Sequence, residues 1–148
     1  MSENPLATRG PYRIFYPITT RWADNDTYGH INNVTYYSYF DSAVNRYLIE
    51  QGKMDIHHSP IVAFVVNSQC HYLSPIAYPD AIEVGIYVKK LGNSSVTYGV
   101  AIFKFGESDA VAHGDFVHVF VEREHNRSVS IPDNIRSALM TLCLKELG

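Results

Sequence analysis

Residues 33–52 read NVTYYSYFDSAVNRYLIEQG, and the rest of the 148-residue chain is organised around them. Tyr37, Phe40, Val44, Tyr47 and Leu48 recur at three- and four-residue steps, which is the apolar stripe of a half-buried helix. Asn45, Arg46 and Glu50 fall largely off that stripe. Asn32 or Asn33 supplies an N-cap and Gly52 a C-terminal stop, so the spacing predicts a helix from about Asn33 to Gln51. Asp41 is the odd member, lying on or beside the buried face, where a structural hydrogen bond is its expected role.

Outward from this helix the pattern is strand. Before it, Ile14, Tyr16 and Ile18 alternate with Arg13, Phe15 and Pro17 in a first strand within Tyr12 to Trp22, and Pro17 demotes part of it to an edge or bulge. After it come four more: Ile61 to Leu73, the alternating Ile82-Val84-Ile86-Val88, then Val96-Tyr98-Val100-Ile102 after Gly92-Asn93, and Val111 to Val121 after a Gly106 to Asp109 hairpin. Ser130 caps a last helix, with Pro132 just inside its start, running through Ala138, Leu139, Leu142 and Leu147. The order describes one α+β domain over residues 1–148, a long helix against an antiparallel sheet of about five strands. One helix covers one sheet face; the other face, or an edge, is expected to meet a second copy.

Composition bounds the function. A chain this long buries roughly 68–70% of its unfolded surface, and 46% hydrophobic residues exclude disorder. No apolar run approaches the roughly 18 residues of a membrane helix. Twelve basic against 15 acidic residues, a formal charge of -3, argue against a nucleic-acid partner. Cys70 and Cys143 stand far apart, outside any zinc or redox spacing, and the N-terminus has no apolar leader, so a reduced, cytoplasmic protein is expected. Eleven Tyr and seven Phe anticipate an aromatic surface that a ligand or another subunit covers.

The polar residues concentrate between the first strand and the helix, in Arg21-Trp22-Ala23-Asp24-Asn25-Asp26-Thr27-Tyr28-Gly29-His30-Ile31-Asn32-Asn33. Two carboxylates, a histidine and three asparagines converge where unpaired helix N–H groups await an acceptor. Asp24-x-Asp26-x-x-Gly29 mimics the start of an EF-hand, but the loop's twelfth position is Thr35 where a bidentate Glu is required, so no calcium site is expected. Extended by His30-x-Asn32-Asn33-x-x-Tyr36-x-x-Tyr39-Phe40-Asp41, the segment resembles the active-site region of hotdog-fold acyl-CoA thioesterases of the 4-hydroxybenzoyl-CoA thioesterase type. The likeness extends over nearly the whole chain, since strand, long helix and four strands is the hotdog order. Asp41 departs from it, because many members have Glu there.

The resemblance implies hydrolysis of an acyl-CoA to a carboxylic acid and free thiol, with no metal and no cofactor. The second acid of the D-x-D pair becomes the catalytic carboxylate, Asp26, attacking directly or activating water. The oxyanion falls to a backbone N–H at the helix N-terminus near Asn33, where the helix dipole also favours negative charge. Gly29 lets the backbone approach the thioester, with a positive φ. His30 either orients the thioester or is satisfied by loop backbone. Asp24 shapes the loop, and Asn32 is first a cap. Tyr28, Tyr36 and Phe64 are expected to line the acyl site, and Lys89 and Lys90, with Arg123 and Arg127, stand at strand ends where coenzyme A phosphates could meet them. A homodimer or homotetramer is expected. Rival readings are a thioesterase acting on acyl carrier protein and a non-catalytic acyl-binding protein. His113 and His118, five apart in one strand, face opposite ways and share no metal.

Overall fold

The computed structural model describes residues 4–143, and its elements follow the predicted order. Strand β1 (Ile14–Thr19) leads into the polar loop and helix α1 (Thr35–Glu50); β2 (Ile61–Tyr72), β3 (Ala81–Leu91), β4 (Ser95–Lys104) and β5 (Ala110–Glu122) follow. A two-residue β6 (Arg127–Ser128) pairs with β5, and α2 (Asp133–Met140) comes last. The sheet runs β1-β3-β4-β5-β2, antiparallel throughout, and it curls round α1. β1, carrying Pro17, is an edge, as a strand with a missing N–H donor should be.

The apolar stripe of α1 is Tyr36, Tyr39, Phe40, Ala43, Val44, Tyr47 and Leu48. It meets Val84, Ile86, Val88, Tyr98, Val100, Ile102, Phe116 and Phe120 from the concave sheet face. Tyr36 opens this stripe where the periodicity predicts Tyr37, which is only half-buried. Asp41 is exposed on the helix surface, and among the described residues its side chain bonds only Asn45 of the next turn, so its expected place beside the buried face is corrected. The helix starts two residues later than Asn33, with Val34 at the cap; Asn32 nevertheless caps through its side chain, Oδ1 accepting the Val34 N–H at 2.9 Å. At the other end Gly52 is required by close approach, since a Cβ there would lie 2.7 Å from the Leu48 carbonyl oxygen. The left-handed residue is Lys53, φ +57°.

Two further expectations change. α2 is capped at Pro132, while the Ser130 hydroxyl reaches Asn93; Leu147 lies outside the described residues. The convex sheet face is not left wholly to a second copy, because the N-terminal segment covers part of it. A 3₁₀ turn at Pro5–Ala7 packs on β5, and the Tyr12 hydroxyl donates to the Leu6 carbonyl at 2.6 Å. Arg9 lies over the Phe103 ring and pairs with Glu83 at 2.6 Å. His113 faces this side and His118 the core, on opposite faces as their spacing requires.

Candidate active site

The loop from Arg21 to Val34 is built on a buried carboxylate. Trp22–Asp24 form one 3₁₀ turn, and Asp24, 3% exposed, points inward from it. Asp24 Oδ2 accepts the Arg21 backbone N–H at 2.9 Å and the Tyr39 hydroxyl of α1 at 2.7 Å. Its Oδ1 accepts the Arg21 guanidinium at 3.0 and 3.2 Å, and its carbonyl accepts the Asn32 N–H at 2.9 Å. Burial pushes this carboxyl up, but the hydrogen bonds from Tyr39 and Arg21 outweigh burial and hold it below the usual aspartate range. Burial, then the bond to Asp24, drives the Tyr39 hydroxyl upward. The first acid of the pair is thus an anchor joining loop to helix.

Beyond the anchor the chain closes a narrow loop. The Asp26 N–H donates to the His30 carbonyl at 2.8 Å, and the Gly29 N–H to the Asp26 carbonyl at 3.1 Å. Gly29 has φ +85°, where a side chain would be strained, and an added Cβ would meet nothing within 4 Å. The requirement is therefore one of backbone conformation. Asp26 Oδ1 accepts the Tyr28 N–H at 2.8 Å, while Oδ2 has no partner among the described residues. With Asn32 Oδ1 spent on Val34, the Asn33 N–H likewise has no acceptor among the described residues, and it lies at the dipole-positive start of α1.

This segment separates two cavities. One, of about 720 Å³, is lined by Trp22, Ala23, Asn25, Asp26, Thr27, Gly29 and Asn32. The other, of about 340 Å³, is lined by His30, Ile31, Asn33, Tyr36, Tyr72, Leu73, Ser74 and Pro75. Asp26 and Gly29 therefore open to one side, and His30, Asn33 and Tyr36 to the other. The remaining residues singled out in the sequence lie apart from both within one chain. Tyr28, 88% exposed, projects from the loop tip, and Phe64, 47% exposed, stands on β2. Lys89 pairs with Asp115 at 2.6 Å, and Lys90 is exposed beside it. Thr19 pairs with Ala81, so these lysines sit about 26 Å along β3 from the loop at 3.3 Å per residue. Arg123 is bonded to the carbonyls of Ser59 and Ile56, and Arg127 to Glu122.

Tyr72 was not visible as a site residue in the sequence. Its hydroxyl donates to the Asn33 carbonyl at 2.8 Å, and its ring meets Tyr36 edge-on at 4.9 Å. Only the placement of the β2 end against the helix start brings it there.

Against known proteins, residues 20–139 match the model of the thioesterase-like superfamily. The chain belongs to that superfamily. It is similar to the PA5185 protein of Pseudomonas aeruginosa, at 52% identity and a TM-score of 0.92 over 94% of this chain and 97% of that one. A 1,4-dihydroxy-2-naphthoyl-CoA thioesterase of Synechocystis shares the fold, with 14% identity and a TM-score of 0.76 over 85% and 94% of the two chains. A 1,4-dihydroxy-2-naphthoyl-CoA hydrolase of Prochlorococcus marinus is 28% identical over 79 residues, 53% of this chain and 51% of its own. The resemblance read in the sequence holds, and the protein is a hotdog-fold thioester hydrolase.

Family membership narrows the chemistry at the thioesterase's loop. Cys70, beside Tyr36 and Tyr72, is no rival nucleophile, because burial pushes its thiol up to about 11. Glu122, Glu124 and His125 bring ligand atoms within 4.8 Å of one another, but Glu122 is engaged with His125 and Arg127, and exposed acidic groups gather without a metal. No described helix is long and apolar enough to cross a membrane.

Proposed function

We propose that the protein hydrolyses acyl-CoA thioesters with Asp26 as the catalytic carboxylate and the Asn33 N–H as oxyanion donor. The observation that carries this reading is the contrast within the D-x-D pair. Asp24 is buried and fully bonded, whereas Asp26 is half-buried in a cavity with one oxygen unspent, seven residues before an unspent helix N-terminal N–H. In this reading the thioester carbonyl takes its place where the two cavities adjoin, between Asp26 and Asn33. Asp26 either takes the proton of an attacking water or attacks the carbonyl itself, giving an anhydride that water then opens. By both routes the C–S bond breaks, one water is consumed, and a carboxylic acid and a thiol leave. The developing oxyanion is met by a fixed N–H and the helix dipole, which need no rearrangement as charge forms.

Tyr36, with Tyr72, Leu73 and Pro75, offers apolar cover to one limb of the substrate. Gly29 leaves the other approach uncluttered, and His30 stands at the mouth of the Tyr36 cavity as an orienting group. Tyr28 meets the site through its backbone N–H on Asp26, while the side chains of Phe64, Lys89 and Lys90 join it only if a second copy brings its own surface to it. Coenzyme A is the preferred donor because the relatives named for an activity act on coenzyme A thioesters of an aromatic acid. A hydrolysis screen over acyl-CoA and acyl-carrier-protein thioesters, read by free thiol, tests the reading. Turnover of coenzyme A thioesters is expected; turnover confined to carrier-protein thioesters would overturn the choice of donor.

A further inference from the structure

We infer that Trp22 and Tyr78 form a stacking site for a flat π-ring carried by the substrate, at the rim of the Asp26 cavity; the inference rests on the thioesterase reading above. Trp22 is the chain's one tryptophan and is 76% exposed. A ring that large is ordinarily drawn into the core or an interface. Here it is held out by the turn it opens, because Asp24, two residues on, is locked inward by Tyr39 and Arg21. The turn that carries the indole is thus anchored from within by Asp24. The indole's one ring neighbour among the described residues is Tyr78 of the β2–β3 loop, exposed, edge-on, with centroids 6.0 Å apart and planes at 75°. Asn25, between Trp22 and Asp26 in the chain, ties that loop down by accepting the Tyr78 N–H at 3.0 Å.

Two aromatic rings at right angles leave a corner that a third ring completes by offset stacking on one and an edge contact with the other. The same indole lines the cavity that holds Asp26. An alkyl chain gains little from such an open wall, since it needs enclosure on all sides to leave water. A flat ring gains from one face alone, which identifies the ligand class as planar and aromatic. A thioester of coenzyme A has two possible sources of such a ring, the adenine and an aromatic acyl group.

Four thioethers that cannot be hydrolysed separate these sources: S-benzyl-coenzyme A, S-butyl-coenzyme A, S-benzyl-pantetheine and S-butyl-pantetheine. Trp22 emission reports the contact directly, and calorimetry measures affinity. We expect the ligand-free protein to emit as an exposed indole and ring-bearing probes to quench it. Quenching by both benzyl probes assigns the ring to the acyl group; quenching by both coenzyme A probes assigns it to adenine. Trp22→Leu, at an exposed position that folding does not depend on, should weaken the quenching probes about tenfold, within the range that loss of one stacking partner produces. S-butyl-pantetheine should bind it unchanged, and Trp22→Phe should recover most of the loss. The inference is overturned if no ring-bearing probe binds or quenches, if Trp22→Leu binds every probe like wild type, or if the ligand-free indole already emits as a buried one because a second copy covers it. Hydrolysis without quenching removes this inference alone. Quenching without hydrolysis of any acyl-CoA removes the acyl-CoA hydrolysis reading alone.

Discussion

At the scale of single residues, Asp24 and Asp26 are the same side chain two positions apart in opposite surroundings. The first is buried and fully bonded, the second half-buried with one oxygen unspent among the described residues. Asp26→Asn keeps the Oδ1 that accepts the Tyr28 N–H, so the loop should fold as before. What it loses is basicity and nucleophilicity, and turnover should fall roughly 10²–10⁴-fold with an unchanged melting temperature. Wild-type turnover in this variant would remove Asp26 from the mechanism. Asp24→Asn should act instead through the loop's stability, its melting temperature falling along with its activity. Its amide places N–H groups against the donors of Arg21 or Tyr39, and a buried hydrogen bond to a charged group is worth about 1.5–3 kcal/mol. A loss of about 2 kcal/mol corresponds to roughly 4–8 °C in a protein of this size. The pH dependence has a definite sign: a carboxyl held below its unfolded value of about 3.9 stabilises the fold above that pH and stops doing so as pH falls through the lower, folded value. Thermal denaturation below pH 4 should therefore be steeper in wild type than in Asp24→Asn, and equal slopes would contradict the anchor role.

At the scale of elements, β5 carries a second titration, this one within the core. His118 lies among Tyr98, Phe116 and Phe120, its Nδ1 3.2 Å from the Tyr98 hydroxyl, and burial pushes its pKa down to about 4. A histidine depressed on folding is protonated first in the unfolded chain, so stability is complete above about pH 6.5 and declines until the folded value near 4 is reached. His118→Gln keeps a polar partner for Tyr98 and removes the titration. Its unfolding free energy in urea should be lower than wild type at pH 7 but flatter between pH 6.5 and 4; a slope as steep as wild type would place the titration elsewhere.

The elements themselves were legible because period decides them. Alternation gives β3 and β4, and three–four spacing gives α1. What the spacing left unread is contact between distant segments. Tyr72 meets Asn33 because β2 ends beside the helix start, and Leu6 covers Tyr12 because a coil-like N-terminus folds back. The exposure of Asp41 has a related cause. A stripe beginning at Tyr37 turns the burial arc toward it, and one beginning at Tyr36 turns the arc away. The D-x-D pair was legible as a pair, and the roles proposed for it as far as family likeness carries them, but not the Tyr39–Asp24 bond that buries the first acid.

At the scale of the whole molecule, the sheet ends in two edges that are treated differently. β1 is six residues long and carries Pro17, which blunts it against pairing. β2 is twelve residues long, bound to β5 on one side, and it exposes Phe64, Val65 and Val66 in succession. A long apolar edge with unpaired backbone groups is a template for another strand, and it invites a specific occupant. A second copy related by a two-fold axis would supply one, because two-fold symmetry lays the same edge antiparallel to itself. Residue i of one copy then meets j of the other and j meets i, with residues nearest the axis meeting their own counterparts. The register break between Val65 and Asn67 puts Val66 at the bulge, near the middle of the exposed run. Val66 is 58% exposed within one chain, so Val66→Lys should leave each protomer folded while placing like charges close together across the two-fold. Sedimentation at micromolar concentration should then find wild type at twice 16.7 kDa or a multiple of it, and Val66→Lys shifted toward the monomer. If Phe64 takes part in the site only through the second copy, the same variant loses turnover in step with its dimer fraction and recovers it as protein concentration rises. A wild-type monomer with full activity would dismiss both the edge pairing and the shared site.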